Sequence, residues 1–279
     1  MSALLPGLVP RREISRALVW YTTASQVARI SGPALGGLLI VLGPTAAYVV
    51  AGASYALATA LIVMVYVEQT VKVRAPVTLG SVFAGLSFTW RTPVILGSIS
   101  LDLFVVLLGG ATALLPIYAR DILMAGPEGL GLLRSAPAAG ALVMSGVLAI
   151  FPLRDRVGTL LFGAVIVFGL ATVVFGLSAS MPLSLVALAV LGASNVISVV
   201  IRHSLVQLRT PDLMRGRVSA VNSLFTGTSN QLGDFESGLT AALIGTVPSV
   251  VLGGVGTVVV ALLWMVLFPE IRRTRTLEG

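Results

Sequence analysis

Four charged side chains stand inside long apolar runs of this sequence: Arg29, Asp102, Asp234 and Glu236. A charge at the centre of a membrane-spanning helix costs about 2.5–3.5 kcal/mol on insertion scales, so such groups face a partner or a water-filled cavity. Arg29 follows Thr22, Ser25 and Gln26 at helical offsets, which places all four on one face. There it either binds an anionic group of a solute or pairs with a carboxylate. Asp234 comes four residues after Asn230 and extends the stripe of Ser223, Thr226, Gly227 and Asn230 toward a bundle interior. Glu236 is turned about 200° from Asp234 around the helix and faces a neighbouring helix or the interface. Asp102 is either a carboxylate that takes up and releases protons in a desolvated setting, or one that is hydrogen-bonded to a neighbouring helix.

The elements that hold these groups follow from composition. Of 279 residues, 56% are hydrophobic and 10% charged, against roughly 25% charged in soluble domains. Apolar runs of about 20 residues predict spans near Ala17 to Leu42, Thr45 to Val67, Val94 to Ala119, Gly131 to Phe151, Val157 to Leu177, Pro182 to Leu205, Gly216 to Ile244 and Ser249 to Phe268. The fold class is an all-α polytopic membrane bundle of about eight transmembrane helices. Breaks such as Gly43-Pro44, Gly126-Pro127 and Val247-Pro248 carry turn chemistry. In the longer connection from Glu68 to Pro93, Leu79, Val82, Phe83, Leu86 and Trp90 recur at steps of three and four, which predicts an amphipathic interfacial helix.

Basic residues sort by side. Arg11, Arg12 and Arg16; Lys72, Arg74 and Arg91; Arg154 and Arg156; Arg202, Arg209, Arg215 and Arg217; and Arg272, Arg273 and Arg275 fall on alternate loops, leaving Arg120 and Arg134 opposite. This is the cytoplasmic bias of membrane proteins, and it predicts both termini in the cytoplasm. The net charge of +7 needs no nucleic acid partner, because no basic domain or recognition motif carries it. No cysteine is present, and the single His203, beside Arg202 at a polar margin, reads as a solvated loop residue; no metal site and no cofactor is expected. No phosphate-binding GxxxxGK[ST] loop occurs, and one histidine cannot build a catalytic triad, so an enzyme is not expected.

An internal repeat organises the chain. A shift of 201 positions brings Pro10 onto Pro211, Arg16 onto Arg217, Gly32 onto Gly233 and Gly37 onto Gly238, with the two polar stripes coinciding. Parallel repeats build some secondary transporters from two six-helix halves, with the substrate near the midplane between them. The repeat makes Arg29 and Asp234 candidate partners across such a bundle, with a static ion pair as the alternative. The first two spans then have no four-helix counterpart ahead of them, and the expectation is a twelve-helix parent with about 130 further residues upstream. Residues 1–68 would be the end of the first half, 69–93 a cytoplasmic linker, and 94–279 the second half with a basic tail.

Gly32-Pro33-Ala34-Leu35-Gly36-Gly37 resembles the GPxLGG signature of major facilitator superfamily antiporters, and Leu153-Arg154-Asp155-Arg156-Val157-Gly158 resembles the second copy of that family's basic cytoplasmic loop. Thr210 to Val218 and Gln231 to Gly238 are similar to stretches of its siderophore- and drug-exporter branch. The resemblance covers helices five to twelve and implies a partial major-facilitator fold that lacks the first four helices. It further implies a proton-coupled exporter of a small-molecule substrate in the plasma membrane, in contact with the lipid bilayer. Pro33 among Gly32, Gly36 and Gly37 would let a helix bend during alternating access. Gly109, Gly110, Gly192, Gly253, Gly254 and Gly256 read as helix-packing positions. A non-transporting membrane fragment or scaffold is the second reading, and self-association or dependence on the missing amino-terminal helices stays open with it.

Overall fold

The computed structural model describes residues 28, 32, 39, 44–64, 79–151, 155–274 and 276. Every regular element among them is helical. Of the first expected span only Ala28, Gly32 and Leu39 are described, each in helix. Among the described residues, six helices are long and apolar enough to cross a bilayer: Thr45–Met64, Pro93–Ile122, Gly126–Ile150, Val157–Leu177, Met181–Arg209 and Thr246–Leu267. The span expected at Gly216 to Ile244 is a helix of 33 residues, Asp212–Ile244, roughly 50 Å long. Its polar stripe keeps it below the apolarity of the six.

The backbone divides into two compact units, residues 1–76 with 126–135 and residues 77–125 with 136–279. In the first, α1 (Pro44–Met64) is an apolar helix whose Ser54 and Thr59 hydroxyls donate to the carbonyls one turn back, at 2.7 and 2.8 Å. That habit satisfies a hydroxyl inside its own helix.

The second unit begins with α2 (Leu79–Arg91) and α3 (Pro93–Leu108), separated by Thr92 with Pro93 opening the second helix. A helix stands where the amphipathic one is expected, with Leu86 half-buried. Gly85 and Thr89 are buried, Gly85 lying against the Arg217 backbone, while Trp90 is 71% exposed. A glycine one turn from a threonine lets α2 approach the neighbouring helix closely, and Trp90 turns outward as interfacial tryptophans do.

The third span is not the continuous helix that its apolar run predicts. α3 stops at Leu108, a 3-10 turn covers Gly110–Leu114, a short α4 (Leu115–Ile117) follows, and a π turn closes at Tyr118–Ile122. The break is held from both sides. A β-carbon on Gly233 would lie 2.7 Å from the Val106 carbonyl oxygen, and one on Gly253 would collide with that of Leu108. Beyond the break, the Tyr118 hydroxyl donates to the Gly176 carbonyl at 2.8 Å and its ring meets Phe175. Before it, Trp264 Nε1 donates to Ser100 Oγ at 3.0 Å.

α5 (Gly126–Ile150), α6 (Val157–Leu177), α7 (Met181–Arg209), α8 (Asp212–Ile244) and α9 (Thr246–Leu267) follow, with a last turn α10 (Pro269–Arg273). Ser180 caps α7 by accepting from the Leu183 N–H, with Pro182 in the first turn. Gly245, at φ 97, makes the reversal between α8 and α9, a conformation that L side chains rarely adopt. α6 packs against α7 on one side and α9 on the other. Its contact with α9 is set by Gly169 and Gly254, where a β-carbon on either would come within 2.8 or 2.7 Å of the other's carbonyl oxygen. Gly192 of α7 meets the Pro137 backbone of α5 in the same way. In lipid no hydrophobic drive pulls helices together, so these close approaches are what make packing favourable.

Two glycines of α6 give a paired test. Gly169→Ala should cost about 1–3 kcal/mol by forcing α6 and α9 apart. Gly163→Ala, where a β-carbon meets nothing within 4 Å, should instead gain about 0.5–1 kcal/mol of helix stability. Thermal unfolding in detergent reads both, and equal shifts would contradict the packing described.

Candidate functional site

Asp102 sits in α3, one turn beyond Ser98. Its carboxylate is held by two helices at once: Arg202 Nη1 of α7 forms an ion pair with Oδ1, and the Thr226 hydroxyl of α8 donates to Oδ2 at 3.0 Å. Arg202 is placed by its own helix, since its Nε donates to the Ser198 carbonyl at 3.2 Å. The two side chains are 6% and 17% exposed for Arg202 and Asp102, so this pair is shielded from water. Asp102 thus has partners on two neighbouring helices, one of them ionic.

Arg202 corrects the sequence reading. The alternation of basic loops groups it with the cluster at a cytoplasmic margin, but it lies within α7, seven residues before Arg209, or roughly 10 Å along the axis. The physical reason is its partner, because a buried guanidinium is tolerated where a carboxylate meets it. His203, the next residue, is on an exposed face of the same helix rather than in a loop. The signal for Arg202 was present in Ser194, Ser198 and Arg202 at four-residue spacing, which is one helix face. Ser198 Oγ is the one buried side-chain polar atom without a hydrogen-bond partner among the described residues.

From Thr226 a polar line continues along α8. Asn230 Nδ2 donates to the Thr226 carbonyl at 2.8 Å. Asn230 and Asp234 then line a cavity of about 300 Å³ together with Asn195 of α7, Pro137, Ala138 and Ala141 of α5, Phe168 of α6, and Val105, Val106, Gly109, Gly110 and Thr112 around the break in α3. Asn230 and Asp234 are both exposed, and Asp102 is linked to Asn230 through Thr226. Glu236 is half-buried on another face of α8. Thr22, Gln26, Arg29, Pro33, Gly36, Gly37 and Arg154 lie outside the described residues, so the expected pairing of Arg29 with Asp234 does too. Around Gly32, which is helical, a β-carbon would meet open space.

At the basic loop, Asp155 is exposed and Arg156 takes a left-handed conformation at φ 55 as the residue that opens α6. Two residues on, Gly158 lies against the Ile271 carbonyl of α10 and donates its N–H to the Thr274 carbonyl at 3.1 Å. Among the described residues no group of three His, Cys, Asp or Glu could hold a metal ion.

The family model described as transmembrane secretion effector matches residues 1–276. The chain belongs to that family. Within it, the enterobactin exporter EntS of Citrobacter koseri is 29% identical over 279 residues, covering 98% of this chain and 66% of the relative. The enterobactin exporters EntS of Shigella boydii and Escherichia coli are 26% identical over the same shares. The chain therefore spans 66% of the length of these curated relatives. A chain of this family with six long apolar helices among its described residues is a multi-pass helical membrane protein of the major facilitator type.

Removing one partner of the buried pair should be far worse than removing both. Arg202→Leu leaves a buried carboxylate and should cost about 3–5 kcal/mol, whereas Asp102→Leu combined with Arg202→Leu should recover most of it. Yield and thermal midpoint in detergent distinguish the two, and additive losses would mean that the pair is not coupled.

Proposed function

We propose that this chain is the larger part of a secondary active transporter that exports a small molecule through the membrane by alternating access, in exchange for protons. The Asp102–Arg202–Thr226 arrangement is the observation that carries the reading. A carboxylate held by an arginine on a second helix and a hydroxyl on a third couples its protonation to helix position, because a neutral carboxyl group no longer holds the guanidinium. Thr226 links that carboxylate to the helix whose Asn230 and Asp234 line the cavity, so solute and proton act on one element. The enterobactin-exporter relatives support outward transport. We place the protein in the plasma membrane with both termini in the cytoplasm, in keeping with the alternation of basic loops. Residues 69–93 are proposed as the linker between the halves of the bundle, and Arg29 as a group that faces the same solute path.

Efflux of a panel of dyes and siderophores, driven by an imposed pH gradient in everted vesicles, tests this. Asp102→Asn should abolish the dependence on the gradient while leaving membrane insertion intact, and Arg29→Ala should reduce export at unchanged protein level. Gradient-driven efflux that persists in Asp102→Asn would move the proton to another carboxylate. No efflux of any panel member by the unaltered chain, alone or extended to its relatives' length, would sink the transporter reading.

A further inference from the structure

Ser198 breaks a habit that other hydroxyls of the bundle keep. Ser98 of α3, Ser194 of α7 and Ser229 of α8 each donate to the carbonyl one turn back, at 2.7, 2.7 and 2.6 Å, which satisfies a hydroxyl inside its own helix. Ser198 Oγ has no hydrogen-bond partner among the described residues, although the residue is only 2% exposed. A buried hydroxyl without a partner is destabilising, and such groups in native proteins call for a function.

The neighbour that can use it is Arg202, one turn on and on the same face of α7. Its side chain is folded back along the helix, since Nε donates to the Ser198 carbonyl, while Nη1 reaches across to Asp102. A guanidinium has five N–H donors and a hydroxyl oxygen can accept, so the cation is anchored on the very residue whose hydroxyl is free. No other charge competes for it. Asp102 is the one charged residue of α3, and α9 has none. On α7 and α8, His203, Arg209, Arg217 and Asp234 are exposed, and Glu236, ten residues beyond Thr226, is half-buried. Arg91 of α2 and the charged residues of α10 are exposed as well.

Charge is what keeps the guanidinium on Asp102. Hydrogen bonds to an ionised group are roughly twice as strong as neutral ones, and a buried cation that loses its anion is costly. Once Asp102 takes up a proton, its carboxyl group is a neutral acceptor with no advantage over a hydroxyl. We propose that Ser198 is the second seat of Arg202: with Asp102 ionised the guanidinium pairs across to α3, and with Asp102 protonated it turns onto Ser198 Oγ of its own helix and releases α3 from α7. Ser198 is a positioning residue here, acting on the helix contact through Arg202. The inference deepens the proton-exchange reading above and rests on it for its meaning in transport, whereas the exchange of partners is a property of the pair itself.

Asp102→Asn offers the guanidinium a neutral carboxyl analogue, so the test is one of non-additivity. In the full chain in detergent, Ser198→Ala alone should leave the thermal midpoint within about 1 °C or raise it, because the hydroxyl removed has no partner. In the Asp102→Asn background the same change should lower the midpoint by about 3 °C or more, and Ser198→Thr should restore it. Equal shifts in the two backgrounds, as a merely packed or permanently hydrated hydroxyl would give, overturn the proposal. If Asp102→Asn yields no folded protein, solid-state NMR of the chain with nitrogen-labelled arginine side chains reads the exchange directly. The Arg202 signals of the unaltered chain and of Ser198→Ala should then agree at neutral pH and diverge on acidification; agreement at both would overturn the proposal. Non-additivity without efflux in the vesicle assay would leave the role of Ser198 standing and count against the transporter reading instead.

Discussion

A single ionic contact ties three of the helices together at a depth where water cannot substitute for it. Asp102 on α3 reaches Arg202 on α7 and Thr226 on α8, and each of those helices carries residues of the cavity wall. Burying two charges is expensive and the return is geometric, since neither can leave without stranding the other. The relative rotation of α3, α7 and α8 is therefore set by a pair of side chains, while the apolar cluster of Ile95, Ile99, Val206 and Val218 fills the space around them.

Around this contact the helices are drawn together by the absence of side chains. Gly169 with Gly254, and Gly192 with the Pro137 backbone, bring helix axes closer than any larger residue would allow. The seam hydroxyls satisfy themselves within their own helices, so these surfaces carry few cross-links. Such seams are held by close van der Waals contact. Two of the polar bonds that do cross, Tyr118 to Gly176 and Trp264 to Ser100, flank the break in α3 and locate its two parts.

Much of this was legible in the residues because lipid allows so few solutions. Apolar run length set where α1, α5, α6, α7 and α9 lie, glycine positions such as Gly192 and Gly254 announced the seams, and the stripe ending in Asp234 marked the cavity wall. Two features were not legible, for different reasons. Arg202 sits close enough to Arg209 to pass for part of a basic margin, and its partner is 100 residues away, beyond any local pattern. The break at Gly109-Gly110 lies in an uninterrupted apolar run, where paired glycines read as packing; the irregular backbone is stabilised by Gly233 and Gly253, two positions that nothing in the run itself identifies.

The divided third span has a mechanical consequence. A continuous helix behaves as a stiff rod and carries torque from end to end, whereas one whose hydrogen-bond ladder is interrupted at Gly109 and resumed in a different register after Leu114 transmits it poorly. The segment bearing Asp102 is braced to α7, α8 and α9, and the segment bearing Tyr118 is clamped to α6. Twisting one segment need not turn the other, so the span works as two short shafts joined by a compliant coupling.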